Sequence, residues 1–501
     1  MADDTTPDRE YDVAVVGAGT TGLVLAYLLA GQGIRVAIID PNRLVCQHPR
    51  ASHVDDECMR ILDLVGYSEE EKNFIKQSGF DIFTPGGDLL MKWEIDPDRT
   101  DQGWHSDYMF FQPDFEATMR GRLMMTESAD LFIGWKVAGV EEVGEEVLVD
   151  IRHRKFETED RLRAKYVVGC DGAWSMLRKV TMTGLRDFEG TKRSLIVDVH
   201  HFTPPAGLSP TGGFIQSGET PITYVPLVPP VARFQFMLEN EDDLDRFEDP
   251  VVIYDLLNRW LEPDSYRIMR TDVYEWNAHL VEGWRAGRIM IAGDAAHLMP
   301  PMLGQGMCSG FRDAANLAWK LAAVVSGGSG EELLDTYETE RWPHVAGFIA
   351  ESARQANLIA ALGRAKQPPP RQDGDVVDRE HAPIGPGFVD AGGRLPGVLA
   401  PQPTGPDGGG LDVEVGYRFA VVGTAETLRA VAPATRERWQ HIGAAVIEGG
   451  GPAVTKWLER HGVDAALVRP DHYVYSATSG TPDLERATAA MAAALAGENG
   501  A

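Results

Sequence analysis

Gly17-Ala18-Gly19-Thr20-Thr21-Gly22 is the first stretch whose residue types and spacing could do chemistry. In a G-x-G-x-x-G turn between a strand and a helix, Gly17 permits the tight turn and Gly19 lets the backbone approach a pyrophosphate. Gly22 lets the helix pack closely on the strand. Thr21 lies in the first turn of that helix, where free amides and the positive end of the helix dipole attract phosphate. Asp40 ends the next apolar run and can accept hydrogen bonds from ribose hydroxyls. This set points to a dinucleotide, and by itself leaves FAD and NAD both open.

Two further motifs narrow the choice. Cys170-Asp171-Gly172-Ala173-Trp174-Ser175 follows the apolar run YVVG, with Arg178 one helical turn beyond Trp174. Alone this is a strand-ending Asp-Gly turn of a common kind. The segment RIMIAGDAAHLMPPMLGQGMCSGFRDAANLAWKL, from Arg288 to Leu321, is more specific. A strand delivers Gly293-Asp294 to a loop stiffened by two prolines, Gly304 and Gly306 permit close backbone approach, and a long helix follows. That design suits a flavin. Asp294 can bind ribityl hydroxyls, and the amides near Gly306, Met307 and Cys308 can stabilise negative charge on a reduced isoalloxazine.

These motifs need elements to hold them. YDVAVV, the glycine turn, LVLAYLLAGQG and IRVAIID form a strand–turn–helix–strand unit of βαβ size. ATMRGRLMMTESA, from 117, reads as helix, and KVAGVEEV, EVLVDIRH and RAKYVVG alternate like antiparallel strands. The expected organisation is an FAD-binding unit over 10–185, with a substrate-side segment near 80–110. A substrate-domain sheet over 186–275 follows, then the second part of the FAD unit with long helices over 276–366, a linker over 367–411 and a small α/β domain over 412–499. The fold class is α/β: a Rossmann-like domain, an inserted mainly β domain and a C-terminal domain.

Composition sets outer limits. At 501 residues the chain is too long for one core. Its formal net charge of −28 repels nucleic-acid phosphates and anionic headgroups. The N-terminus MADDTTPDRE lacks the features of a secretory signal, and no apolar run reaches the length of a membrane span. The four cysteines form no C-x-x-C pair, so reduced thiols and no metal site are expected, in a cytoplasmic protein.

The three motifs in this order resemble those of the single-component FAD-dependent aromatic hydroxylases, the family of para-hydroxybenzoate hydroxylase and phenol hydroxylase. Among them the chain is most similar to the 3-(3-hydroxyphenyl)propionate hydroxylase group, through the GDAAHLMPPMLGQGMCSGFRDAANLAWKL, LLDTYETERWPH and RPDHYVYS phrases. The resemblance implies that Gly17, Gly19, Thr21 and Gly22 hold the FAD pyrophosphate and Asp40 the adenosine ribose. It implies FAD contacts for Arg50 in HPRAS and Gln112 in FFQPDFE, which otherwise read as a helix-end charge and a capping group. Asp171 and Arg178 belong to a motif tied to FAD and NAD(P)H, while Gly293 and Asp294 face the ribityl chain. Gly304, Gly306 and Met307 line the isoalloxazine, with Pro301 beside the reacting edge of the substrate.

The implied function is hydroxylation of a phenol with NADH or NADPH and oxygen through a flavin C4a-hydroperoxide. A tailoring hydroxylase of a polyketide or other fused aromatic, another flavin oxidoreductase and a non-catalytic FAD-binding protein are the alternatives. No halogenase signature of an extra lysine and tryptophan is found. Tyr224 is the one candidate offered for assisting phenol ionisation. His200, His201 and Arg233 read as sheet residues, His297 as fixed within its turn, and Trp174 as packing. The C-terminal region resembles the thioredoxin-like tail of phenol hydroxylases, without cysteines, and its expected role is structural or dimer-supporting. Expected partners are a small aromatic substrate and oxygen, with a homodimer as the candidate assembly and neither nucleic acid nor an inserted membrane.

Overall fold

The computed structural model describes residues 9–68, 74–84, 88–96, 98, 100–189, 191–203, 205, 208–216, 221–238, 244–364, 381–406 and 408–497. The apolar run at the start becomes β1 (Arg9–Val16), followed by α1 (Thr20–Gly31) and β2 (Val36–Asp40). β1 is flanked in parallel by β2 and by the strand Glu159–Gly169, and the sheet extends to Ile289–Ile291 and Ala129–Ile133. A parallel sheet must be covered on both faces. Here α1 is buried from Gly22 to Ala26 and from Leu28 to Ala30. The strands Trp135–Val143 and Glu146–His153 add an antiparallel meander to Glu159–Gly169.

The register brings the three motifs together. β1, Glu159–Gly169 and Ile289–Ile291 are neighbouring parallel strands, and each ends at the same edge in one motif. The Cys170 amide donates to the Val16 carbonyl at 2.8 Å and the Ala292 amide to the Gly169 carbonyl at 2.9 Å. Ligands in such sheets lie beyond the carboxyl ends of the strands.

β3 (His53–Asp55) leads into α2 (Asp56–Leu64), capped by the Asp55 side chain on the Cys58 amide. α3 spans Gln112–Met124 and so starts earlier than the pattern from 117 suggests. Pro113 sits in its first turn, where the missing N–H costs no hydrogen bond. α4 (Arg178–Thr181) is a single turn, and α5 (Pro250–Leu257) is capped by Asp249 on the Val251 amide. α6 (Gln305–Val325) starts at Gly304, which adopts φ 65°. α7 (Glu332–Arg364) carries Pro343 in its interior.

A second sheet has seven strands, in the order Tyr266–Trp276, Lys192–His201, Val231–Leu238, Ile222–Pro226, Gly213–Ile215, Gly79–Phe83 and Leu89–Glu94. Side chains alternate across it. Leu195, Val197, Tyr224, Phe234 and Phe236 pack in one core with Ile253 and Leu257 of α5. Asp198 and Arg233 point the other way, toward the nucleotide unit. The Arg233 guanidinium donates to Asp198 at 2.7 and 3.0 Å and to the backbone carbonyls of Pro49 and Arg50. On the same side Met237 and Trp276 pack with Ala356 and Ala360 of α7, and Met302 of the proline loop joins them.

The C-terminal unit is a four-stranded sheet in the order Ala445–Glu448, Ala420–Gly423, Ala465–Val468, Val474–Thr478. The first pair is parallel and the others antiparallel, a thioredoxin-like pattern with no cysteine after Cys308. Of the expected linker, 367–380 lies outside the described residues. The stretch from 381 differs from expectation. Ile384, Phe388, Leu399 and Ala400 are buried, and backbone bonds tie it to Glu340 of α7 and to Val474 and Tyr475. It is a packed strap because apolar residues punctuate its prolines and glycines. Among the described residues no helix is long and apolar enough to cross a membrane.

Candidate active site

The three fingerprint glycines have separate physical reasons. A Cβ on Gly17, which has φ 110°, would stand 2.2 Å from the Cys170 carbonyl oxygen, and one on Gly22 would stand 2.0 Å from the Gly17 carbonyl oxygen. A Cβ on Gly19 would meet nothing within 4 Å. Gly17 and Gly22 are glycine for the chain's sake, whereas Gly19 borders open space at the start of α1, as a pyrophosphate cradle requires. Thr21 is placed differently from a phosphate ligand. Its Oγ1 lies 2.7 Å from where a Cβ on Gly293 would be and 2.2 Å from one on Gly310, so it locks α1 against α6 and the Asp294 loop.

Asp40 is buried, and its two oxygens accept from the Ala18 amide at 2.8 Å and the Asn42 amide at 2.6 Å. A carboxylate has about four acceptor positions, so it can still receive a ribose hydroxyl while shaping the loop. Beside it Arg120 of α3 donates to the carbonyls of Ala18 and Asn42, and its Nε is buried with no protein partner. Gln112 accepts from the amides of Arg50 and Ala51, both at 2.9 Å, and donates to Glu116, which in turn holds the Cys46 amide. Gln112, Glu116 and Arg120 recur every four residues and so share one face of α3. That spacing is a signal that could have found Glu116 and Arg120 in the sequence.

Asp171 accepts from Ser175 Oγ and from the Met176 amide at 2.7 Å. Arg178 donates to the backbone carbonyls of Ala173, Asp294 and Ala295. Together they fasten the second motif to the third, so their contact with any cofactor runs through the loop they hold. Trp174, expected to pack, is 96% exposed. His297 is held at 2.6 Å by Asp313, which also accepts from the Gly293 amide and from Arg341.

Asp294 itself is open to the cleft. The surrounding protein hems it in, so burial raises its pKa, against the opposing charges of His297, Arg50 and Arg178. Arg50 is exposed and within electrostatic reach of Asp294 and of Tyr274 on the facing sheet. Pro301 opens an exposed turn ending at Gly304. A Cβ on Gly304 would stand 2.6 Å from His53 Nδ1, whereas one on Gly306 would meet only Met299 at 3.7 Å. The first amides of α6, from Gln305 to Met307, have no acceptor within the helix.

Tyr224 is not part of this cleft. It is 3% exposed on the α5 face of the sheet, its ring 5.2 Å from that of Phe234, and burial alone raises its pKa to about 12. The strand period explains the miss: Tyr224 pairs with Phe234, on the core side. Tyr274 is the tyrosine on the cleft side. It lies opposite Ser194, and burial followed by the Asp294 charge raises its pKa. Only the pairing register distinguishes the two.

The open space at Gly19, the unpartnered Arg120 Nε, the accessible Asp294 and the free amides of α6 fit one elongated group with a central pyrophosphate near Gly19 and a ring system near the start of α6. Asp294→Ala is expected to fold normally and bind FAD on the order of 10–100-fold more weakly, since hydrogen bonds to a charged acceptor are worth about 1.5–3 kcal/mol. Fluorescence titration of the apoprotein measures this, and wild-type affinity would remove Asp294 from the ribityl position.

A family described as "FAD binding domain" matches residues 10–352. The "3-(3-hydroxy-phenyl)propionate/3-hydroxycinnamic acid hydroxylase" of Mycolicibacterium gilvum (strain PYR-GCK) is 30% identical, over 92% of this chain and 84% of its own length. The "Probable NADH-specific resorcinol 4-hydroxylase" of Rhodococcus jostii (strain RHA1) is 31% identical, over 97% of this chain and 96% of its own. The solved structure of aklavinone-11 hydroxylase with FAD and aklavinone shares the fold at a TM-score of 0.78 and 24% identity, covering 97% of this chain and 99% of that one. The chain belongs to the FAD-binding family of flavoprotein hydroxylases.

Proposed function

We propose that the protein hydroxylates an uncharged, single-ring phenol, taking its reducing equivalents from NADH. The observation that carries this is the cleft between Asp294 and the start of α6 on one side and Tyr274 on the other. Bound FAD supplies hydride acceptance and oxygen activation. The chain's own residues do the rest. Gly19 and the amides of α1 receive the pyrophosphate, Asp40 and Asp294 the ribose and ribityl hydroxyls, and the first amides of α6 stabilise negative charge on the ring system. Arg178 and Asp171 hold the Asp294 loop in register, and Pro301 borders the substrate.

Tyr274 is 43% exposed on this side, and its phenol, whose ordinary pKa of 10 the surrounding protein and the Asp294 charge raise further, stays protonated through the neutral range. Its hydroxyl is therefore a donor, suited to the oxygen of an ionised phenol, which is a better nucleophile than the neutral ring. An uncharged substrate is favoured by the sheet arginines on the cleft side. Arg233 is taken up by Asp198, and Arg270 pairs with Asp272 at 2.6 Å and lies 4.0 Å from Asp198. Neither is free for a substrate carboxylate, and Arg50, an exposed cation at the cleft, is assigned to FAD in this reading. The names of the two relatives, one acting on resorcinol and one on a phenylpropionate, bracket this choice. The acidic surface and free thiols support a cytoplasmic setting.

A panel of resorcinol-type phenols, phenolic acids and fused polycyclic phenols, scored for oxygenated product by mass spectrometry, tests the reading. Product from simple phenols is expected; product confined to phenolic acids or polycycles would overturn the substrate class. Tyr274→Phe is expected to lower hydroxylation by about 10–100-fold, one charge-assisted hydrogen bond's worth, while FAD binding is unchanged. Tyr224→Phe is expected to leave kcat within about twofold, and a larger loss there would reverse the assignment of the two tyrosines.

A further inference from the structure

Cys58 lies in the first turn of α2 and Cys308 in the first turn of α6, next to Met307. Both are fully buried. Their sulfurs and a carboxylate oxygen of Asp55 all fall within 4.8 Å of one another. The Cys58 thiol donates toward the Cys308 carbonyl at 3.6 Å, and the Cys308 thiol lies 3.7 Å from the His53 carbonyl. The His53 ring holds Asp107 at 2.7 Å through Nε2, and its Nδ1 is buried without a hydrogen-bond partner.

This arrangement does not suit a cation. Asp55 already accepts from Arg312 at 2.6 Å, from Gln305 at 3.0 Å and from the Cys58 amide at 2.9 Å. A metal would have to displace a buried guanidinium. Thiol redox chemistry is what remains, and the acid–base setting favours it. Burial opposes charge on His53, but Asp107 and Cys308 outweigh it and raise the imidazole pKa to about 10. Burial and Asp55 work against a Cys308 thiolate, but the neighbouring Cys58 thiol and His53 imidazole outweigh them and lower its pKa to about 6. Cys58 is held as the thiol, first by burial and then by its bond to Cys308. A thiolate beside a neutral thiol is the pairing of an attacking and a resolving cysteine.

We propose that Cys308 and Cys58 are a peroxide-oxidised pair that closes into a disulfide between the first turns of α6 and α2. The Cys308 thiolate attacks hydrogen peroxide. The O–O bond breaks, hydroxide leaves and takes a proton to become water, and Cys308 becomes a sulfenic acid. The Cys58 sulfur then attacks the Cys308 sulfur. The S–O bond breaks, and the departing hydroxyl takes the Cys58 proton as a second water. In sum two thiols lose two electrons and two protons to one peroxide. The oxidant is the two-electron reduction product of oxygen, released when NAD(P)H is consumed without substrate being hydroxylated. Burial ordinarily makes a thiol inert. Here the oxidant, little larger than water, would arise beside Gly306 and Met307, one residue from Cys308. Bonded sulfurs stand about 2.05 Å apart, so closure must shift the turn whose amides face the flavin. Oxidation therefore loosens FAD and slows further peroxide release.

The test treats holoenzyme with a few equivalents of hydrogen peroxide in the dark, alkylates under denaturing conditions, and maps peptides by mass spectrometry. FAD release is followed by fluorescence on the same samples. The expected result is a Cys58–Cys308 linked peptide two hydrogens lighter than its parts, several-fold faster FAD release, and reversal of both by dithiothreitol. In Cys58→Ser no link forms and Cys308 is carried on to the sulfinic acid. If both cysteines stay alkylatable at doses that oxidise Cys46 or Cys170, the proposal is overturned. It is equally overturned if the link forms with FAD release unchanged.

Discussion

Gly19→Val is expected to yield a folded protein that has lost FAD, and Gly22→Val a protein that does not fold. The two positions lie three residues apart, in one motif, and both would be read as cofactor glycines. Their surroundings separate them. A side chain at Gly19 enters open space at the mouth of α1, so the chain tolerates it and the pyrophosphate does not. Losing close contact with two phosphates should weaken FAD binding by about a thousandfold or more, on the order of 4 kcal/mol. A side chain at Gly22 would start 2.0 Å from the Gly17 carbonyl, inside van der Waals contact and against backbone that cannot rotate away. Overlap of that kind belongs with the most damaging substitutions, above about 4 kcal/mol. Circular dichroism and flavin content, measured together, distinguish the cases. A colourless, unfolded Gly19→Val would show that the space beside it is needed by the chain itself.

The second large effect sits at the junction with the C-terminal unit. Glu340 of α7 accepts from Lys320 at 2.7 Å, from Arg469 at 2.8 and 2.9 Å, from Asn316 at 2.7 Å and from the Phe388 amide at 2.6 Å. All of these side chains are buried. Glu340→Ala strands a buried ammonium and guanidinium, and removing one partner of a buried pair typically costs about 3–5 kcal/mol. The expected outcome is a lower thermal midpoint, with proteolysis of the 381–497 region before the rest. Burial works against the ionised Glu340, but Arg469 and Lys320 outweigh it and lower its pKa from 4.5 to about 2. A carboxylate whose folded pKa is depressed stabilises the fold above its unfolded pKa and loses that contribution as pH falls through the folded value. Wild type should therefore weaken between roughly pH 4.5 and pH 2, by on the order of 3 kcal/mol from this residue. Glu340→Ala should show a flatter acid limb, and an unchanged limb would mean that other carboxylates set it.

How much could be seen beforehand differs between backbone and side chains. The order strand, glycine turn, helix, strand around Gly17 to Asp40 is local, written in apolar period and turn residues, and so it was legible. That Cys170-Asp171 and Gly293-Asp294 end neighbouring strands was suggested by motif order, although the pairing that joins them is non-local. The choice between Tyr224 and Tyr274 was not legible. A shift of one residue in register turns every side chain to the other face, and nothing in TYVPL or TDVYEW says which face is the core. The strap after residue 380 misled for a related reason. Its prolines and glycines read as a connector, while Ile384 and Phe388 find their burial against residues far away in the chain. The Cys58–Cys308 pair, 250 positions apart, had no local trace at all.

The helices that frame the flavin cleft take hydrogen bonds from the far end of the polypeptide. Asp471 accepts from Asn316 of α6, Arg469 donates to Glu340 of α7, and the Tyr473 hydroxyl donates to Glu57 of α2. Synthesis runs from the N-terminus and domains tend to fold as they emerge. Here the glycine turn at 17–22 is made well before residues 469–473, which supply the partners of its three companion helices. A cleft with all three helices braced is therefore expected only once residues 469–473 have been made.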